Sequence, residues 1–385
     1  MKILWVSQSP MLPTGYGNVT NHMCMGLGEK GHEVYCVGME YRGRSFSLPN
    51  YRVISGGAAD MSQDILPHYL KEIKPDVVIG LHDVFRIKSW IEVCQKADVP
   101  FLNYMPIDGD QIHPSWMSVV NGAIKNVALS KYGQTRLKAI GIDAEYVYHG
   151  VDLDVFKPYP REQIDALKEK IGIADKFIIG SVSRNGNRKQ IPRLLEAFKI
   201  FAADHQEARL FLHMEPRDSQ GWDLPDILQR YGINDKAMFP SNIKHPYARP
   251  NDVDLAVEMN LYDIHALSTS GEGFGMPIAE SMACGIPNVA TNYTTPPELI
   301  GDTGLLADVL TMVVGQFNVD RALVDTKHMV EHFETLYSDD ALRRRLSEAA
   351  RNRACDLFNW KTQIDKMNNI VTDLHKLPDF IEVVD

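Results

Sequence analysis

The stretch "HALSTSGEGFGMPIAESMACGIP", residues 265–287, decides the fold class. Ile264–Leu267 reads as a short buried strand, and Ser268 to Met276 as a loop holding three glycines. Pro277 then stands where proline is best tolerated, in the first turn of a helix. Ala279, Met282, Ala283 and Ile286 recur at helical spacing, so one side of that helix faces a core. A buried strand, a glycine loop and a half-buried helix form one repeat of a parallel α/β sheet.

Working outward, the same alternation runs through most of the chain. Strands are expected at Ile3–Val6, Val34–Val37, Val77–Gly80, Phe101–Tyr104, Val127–Leu129 and Tyr146–Tyr148. Helical patterns lie between them, at about 18–30, 64–74, 87–97 and 132–140. The prolines and aspartates of "HGVDLDVFKPYPRE" read as a linker. A second series follows, with strands at Phe177–Val182, Leu210–Leu212, Ala237–Phe239, Ile264–Leu267 and Asn288–Ala290. From about Val319 onward the pattern reads as helix. The expectation is α/β, with two parallel-sheet domains, 1–157 and 158–358, joined by a linker, facing across a cleft and finished by helices. Ligands of such sheets lie beyond the carboxyl ends of the strands, so the loops after strands are where chemistry is sought.

Bulk properties narrow the classes. The chain has 385 residues, 44% hydrophobic and 23% charged, with a formal net charge of -10. That balance suits a soluble protein and argues against a nucleic-acid binder. Five scattered cysteines without a CxxC pair give no support for zinc or a disulfide framework. The opening "MKILWVSQSP" has too short an apolar run for a signal core, and no stretch reaches the length of a membrane span. A cytoplasmic protein with at most peripheral membrane contact is expected.

The glycine loops suggest an anion. The amides of Gly273, Phe274, Gly275 and Met276, at a helix N-terminus, favour negative charge. Gly15 and Gly17, after the first strand, allow a similar close approach, although their spacing and the lack of a suitable acid disfavour a nicotinamide site. Glu272 and Glu280 do not suit phosphate. Carboxylates accept from hydroxyls, so amides for an anion and carboxylates for hydroxyls together fit a nucleotide sugar. Arg184, Arg188 and Lys189, in "SVSRNGNRKQIPRLLEAF", are the cations for its diphosphate. Each group has a plainer reading alone: Glu280 as a complement to the helix dipole, Glu272 as a solvated loop acid, the basic run as a solvated turn.

Several segments in order resemble the retaining GT-B glycosyltransferases, in particular glycosyltransferase family four. They are "TGYGNVTNHMCMGLGEKGHEVYCVG", "ALSKYGQTRLKAIGIDAEYVYHGVDLDVFKP", "GSVSRNGNRKQIPRLLEAF", "STSGEGFGMPIAESMACGIPNVATNYTTPPELI" and "LFNWKTQIDKMNNIVTDL". Glu272 and Glu280 stand in the E-x7-E register of that family. The resemblance implies that Arg184 and Lys189 hold the donor diphosphate. Glu272, with the backbone of Gly273, Phe274, Gly275 and Met276, would hold the sugar, and Glu280 the ribose. Gly15 and Gly17 would approach from the other domain. It also implies that the last helix, about 359–385, crosses back to the first domain, and that no metal or other cofactor is required.

Where many members carry a histidine, this chain reads Pro106-Ile107-Asp108-Gly109-Asp110. Asp108 is the candidate to contact the sugar or the acceptor hydroxyl, its alternative being a simple Asp-Gly turn. His82 is a second candidate, and His149 replaces the usual Asn of the linker motif. The acceptor, a glycan, lipid-linked sugar, protein or small molecule, is expected near Tyr41–Ser47 and Asp83–Lys88. The donor base is expected near Phe239–Asp252. The implied activity is retaining transfer of a sugar from a nucleotide diphosphate to a hydroxyl. A non-catalytic nucleotide-sugar sensor and a nucleotide-sugar epimerase on the same fold are the alternatives.

Overall fold

Two parallel sheets, each covered by helices, carry the chain. The computed structural model describes residues 1–12, 14–110, 112–240 and 251–374. The expected base-binding segment, Phe239–Asp252, therefore falls mostly outside the described residues, as does the end of the C-terminal segment.

The first sheet contains β1 (Lys2–Gln8), β2 (Glu33–Met39), β3 (Phe46–Leu48), β4 (Tyr51–Ser55), β5 (Val77–Leu81), β6 (Phe101–Met105), β7 (Lys125–Ala128) and β8 (Ala144–Tyr146). Their order is β3-β4-β2-β1-β5-β6-β7-β8, parallel except for the β3/β4 hairpin. The inner strands are apolar throughout because both faces are covered: all five residues of Val77–Leu81 and of Phe101–Met105 are buried. The second sheet contains β9 (Phe177–Val182), β10 (Ala208–His213), β11 (Ala237–Met238), β12 (Ile264–Leu267), β13 (Asn288–Thr291) and β14 (Leu305–Ala307), ordered β11-β10-β9-β12-β13-β14.

In both sheets the chain first steps one way and then reverses beside its starting strand. The reversals lie between β1 and β5, and between β9 and β12. Loops diverge at such points and leave a crevice. These points decide which loops can form a site: 9–14 and 82–83 in one domain, 183–190 and 268–275 in the other.

The helix Trp360–Asp373 returns to the first domain and packs on the helix Gly15–Glu29. The rings of His22 and Trp360 stack at 4.5 Å, Lys30 pairs with Asp365, and His32 Nε2 meets Asn368 Oδ1 at 2.8 Å. Gln363 is fully buried at the crossing. Its Nε2 donates to the Leu357 carbonyl at 2.7 Å, and its Oε1 accepts from the Tyr148 amide at 3.1 Å.

One stretch differs from the sequence reading. Residues from Val319, expected to open the helical tail, instead form β16 (Asp320–Val324), paired antiparallel with β15 (Val309–Val314), and helices resume at Thr326. Val309–Val314 is rich in β-branched residues and Gly315 follows it, which is a strand–turn signal, whereas Val319–Val324 carries such residues only at its two ends. The short strands β3, β4 and β14 were also absent from that reading.

Candidate active site

Strand β12 is fixed from within. His265 is fully buried; its Nε2 accepts from the Val182 amide at 3.3 Å, and its Nδ1 meets Asn288 Oδ1 at 2.7 Å. Burial pushes its imidazole down to about 4, so it is a neutral structural group. The next residues fasten the two donor-side loops together. Ser268 Oγ donates to the carbonyls of Lys189 and Gln190, both at 3.0 Å. The Ser270 amide and Oγ both reach the Arg188 carbonyl, at 2.7 and 2.9 Å. The hydroxyls of "STS" thus hold the basic loop against the glycine loop.

Gly275 caps the helix Met276–Ala283 with φ 102, a left-handed backbone that favours glycine, and no side chain caps that helix. Pro277 has no N–H, and the Ile278 and Ala279 amides donate to the Gly275 carbonyl at 2.9 and 3.3 Å, so an anion at this helix start would be met by the loop amides of Gly273–Met276. The Glu272 amide donates to Thr294 Oγ1 at 2.8 Å, and Thr295 Oγ1 donates to the Glu272 carbonyl at 2.6 Å. Those bonds fix the Glu272 backbone, while its side chain points to cations.

The Glu272 carboxylate is only 4% exposed. Lys189 Nζ contacts Oε1, and Arg188 Nη1 lies 2.9 Å from Oε2. Burial alone would raise this carboxyl; Arg188 and then Lys189 outweigh it and hold it down to about 2. Arg188 also donates to the Gly271 carbonyl, and its Nε lies 3.5 Å from Asp108 Oδ2. Burial works against the Arg188 charge, but Glu272 and Asp108 overcome it and the guanidinium is more basic than usual. Asp108 comes from the other domain, so the Arg188 bridge spans the cleft.

The remaining sequence candidates distribute as follows. Arg184 makes a two-pronged pair with Asp218, at 2.8 and 3.1 Å, which holds the Asp218 carboxyl below its usual range. The cation sharing Glu272 with Lys189 is therefore Arg188. Glu280, on the helix Met276–Ala283, is 1% exposed. Phe274 is buried against Tyr148, His149 and Phe358. The loop aromatic thus anchors the loop to the inter-domain linker. Burial lowers His149 to about 3 and keeps it neutral.

Gly15 is exposed at the start of its helix. Gly17 is a packing glycine: its amide donates to the capping Thr14 Oγ1 at 3.0 Å, and a Cβ there would collide with the Leu12 and Ser9 carbonyls. Between them lies Tyr16, which the sequence reading passed over. Its hydroxyl donates to Asp83 Oδ1 at 2.9 Å, linking the loops after β1 and β5. Burial, then Asp83, pushes its phenol well up, so it remains a protonated donor at neutral pH. His82 is buried, and its Nδ1 accepts from the Asp83 amide at 2.7 Å, a local role.

Tyr293 and Arg321 were also missed: Tyr293 lies in the loop after β13, and Arg321 lies where a helix was expected. The Tyr293 hydroxyl accepts from the Asp110 amide at 2.8 Å and donates to the Asp320 carbonyl at 2.9 Å. Glu298 accepts from the amides of Lys131 and Tyr132, at 3.0 and 2.6 Å, and so caps a helix of the opposite domain. Among the described residues, no group of three or more His, Cys, Asp or Glu could hold a metal ion, and no helix is long and apolar enough to cross a membrane.

Two doubly wound domains, with their reversal points opposed across a cleft and a last helix returning to the first domain, define the GT-B class. Solved structures of that class superpose along almost the whole chain. Sucrose-phosphate synthase from Thermosynechococcus elongatus matches with TM-score 0.79 and 18% identity, covering 98% of this chain and 99% of its own. HepE from Anabaena, in complex with UDP and glucose, matches with TM-score 0.74 and 18% identity, covering 97% and 100%.

Residues 163–353, just under half of the chain, match the family of glycosyl transferases, group 1. O-antigen chain mannosyltransferase B of Escherichia coli is 60% identical over 121 residues, which is 31% of this chain and 30% of that protein. The chain spans between 16% and 54% of the length of the first curated relatives it matches.

Proposed function

We propose that this chain is a retaining glycosyltransferase that moves a hexose from a nucleotide-diphosphate sugar to a hydroxyl of a glycan acceptor. The observation that carries the proposal is the cluster of the buried Glu272 with Arg188 and Lys189. It lies beside an uncapped helix N-terminus at the sheet reversal and faces Asp108 across the cleft. The mannosyltransferase relatives favour mannose as the transferred sugar and a growing polysaccharide as the acceptor.

In this reading Arg188 and Lys189 exchange Glu272 for the donor diphosphate. The diphosphate gathers charge as the glycosidic bond breaks, and preorganised cations and helix amides stabilise that charge in the transition state. Arg184, held edge-on by Asp218, adds to the same field. Glu272, released from its cations, accepts from hydroxyls of the sugar, and Glu280 serves the ribose. Asp108 contacts the sugar or the incoming acceptor. The leaving phosphate oxygen takes the acceptor proton on the face it leaves, so the anomeric configuration is retained without an enzyme nucleophile. The leaving charge falls on arginine, lysine and amides, and the scheme calls for no metal.

The test is incubation with GDP-, UDP- and ADP-linked hexoses and short mannose oligosaccharides, with the product read by proton NMR. Transfer from one donor, giving the same anomeric configuration and persisting in EDTA, is expected. An inverted product, loss of transfer in EDTA, or an epimerised donor without transfer contradicts it.

A further inference from the structure

The hairpin β15–β16 brings a third arginine to the cleft. Arg321 lies on β16, in the second domain, and its side chain is 14% exposed. Its Nη2 donates to Asp108 Oδ1 at 3.0 Å, and its Nη1 donates to the carbonyl of the same aspartate. One guanidinium thereby grips both the side chain and the backbone of Asp108.

The hairpin itself is fixed at several points. Beyond β15, the outer edge of β16 is also engaged: the Ala322 amide donates to the Ser270 carbonyl at 3.1 Å, and the Asp320 amide to the Asp110 carbonyl at 3.2 Å. At the tip, Phe317 stacks on Phe85 of the first domain with ring centroids 4.4 Å apart. Gly271, at φ 153, packs so closely on the Asp108 carbonyl that a side chain there would collide with it. Arg321 is therefore presented from a strand pinned on both sides.

The two oxygens of Asp108 have different partners. Oδ1 belongs to Arg321, and Oδ2 faces Arg188, which is shared with Glu272. A diphosphate carries more charge than either carboxylate and attracts Arg188 and Lys189 together. When Arg188 turns to it, Oδ2 loses its partner while Oδ1 keeps one.

We propose that Arg321 is a positioning residue for Asp108, holding its carboxylate in place so that Oδ2 is presented to the sugar or acceptor hydroxyl once the donor has drawn Arg188 away. This inference rests on the nucleotide-sugar reading above. Lysine cannot reproduce the grip, because it has no planar fork able to reach two oxygens of one residue.

The test uses Arg321→Met, Arg321→Lys, Asp108→Asn and the Asp108→Asn/Arg321→Met double variant of the full chain. kcat and KM for transfer are measured, with nucleotide-diphosphate affinity by calorimetry. Arg321→Met should lose about ten- to a hundredfold in kcat, the scale of a misplaced reacting group. Diphosphate affinity should stay near wild type, because Arg188 and Lys189 are intact. Arg321→Lys should recover part of the loss, and the double variant should be no slower than Asp108→Asn alone. Wild-type kcat in Arg321→Met, additive losses in the double variant, or equal losses of kcat and diphosphate affinity overturn the inference. Should Arg321→Met not fold, wild-type kcat in Arg321→Lys overturns it and a partial loss supports it. A wild-type protein that binds no nucleotide diphosphate overturns the underlying reading instead.

Discussion

Glu272 is held between two opposing effects. Burial disfavours its charge, yet Arg188 and Lys189 keep it ionised well below the ordinary carboxylate value. Because its folded pKa is depressed, the stabilisation it provides is complete above the unfolded value of about 4.3 and is lost as pH falls toward about 2. Glu272→Gln leaves the largely buried Lys189 short of a charged partner, while the more exposed Arg188 keeps Asp108, at a cost of about 1–3 kcal/mol at neutral pH. In thermal melts the wild type should lead this variant by a gap that is widest above pH 5 and narrows steadily as pH falls through 4 toward 3. A gap independent of pH would show that the charge of Glu272 does not stabilise the fold. The chemical type of this residue was legible in the sequence. Its burial was not, because burial is made by Thr294, Thr295 and the basic loop, all distant along the chain.

At the scale of elements, the strand–glycine loop–helix units were readable because apolar runs and turn residues are local signals. The observed Ile264–Leu267 and Phe177–Val182 match their expected limits. The second strand of the hairpin reads as the start of a helical tail because Arg321, Ala322 and Leu323 suit either pattern; pairing with β15 and with Ser270 decides for strand. Which arginine meets Glu272 was also beyond local reading, since Asp218, which engages Arg184, lies 34 residues further on. The hairpin's hold on the first domain ends in the Phe317–Phe85 stack, both rings being partly exposed. An aromatic pair of this kind is worth about 0.5–1.5 kcal/mol. Phe317→Ala should therefore leave the melting temperature nearly unchanged while raising the acceptor KM about two- to tenfold. An unchanged acceptor KM would remove the tip from any part in closure.

For the whole molecule, the donor-side loops and the first domain meet through Asp108, Asp110, Tyr293, Glu298 and the hairpin, so the site is completed only when the domains are together. Closure of this kind excludes water and assembles catalytic groups. The two-domain architecture was legible from alternation alone. The opposing faces were not, since no local pattern records which loop of one domain touches which loop of the other. The central claim is that this closed seam is built for a nucleotide diphosphate. Calorimetric titration of GDP, UDP and ADP into the wild type and into Lys189→Ala tests it most directly. One of the three should bind the wild type at a single site. The variant should bind it about ten- to a hundredfold more weakly, the value of one charged hydrogen bond of about 1.5–3 kcal/mol. Binding of none of them, or equal binding by both proteins, would contradict the account.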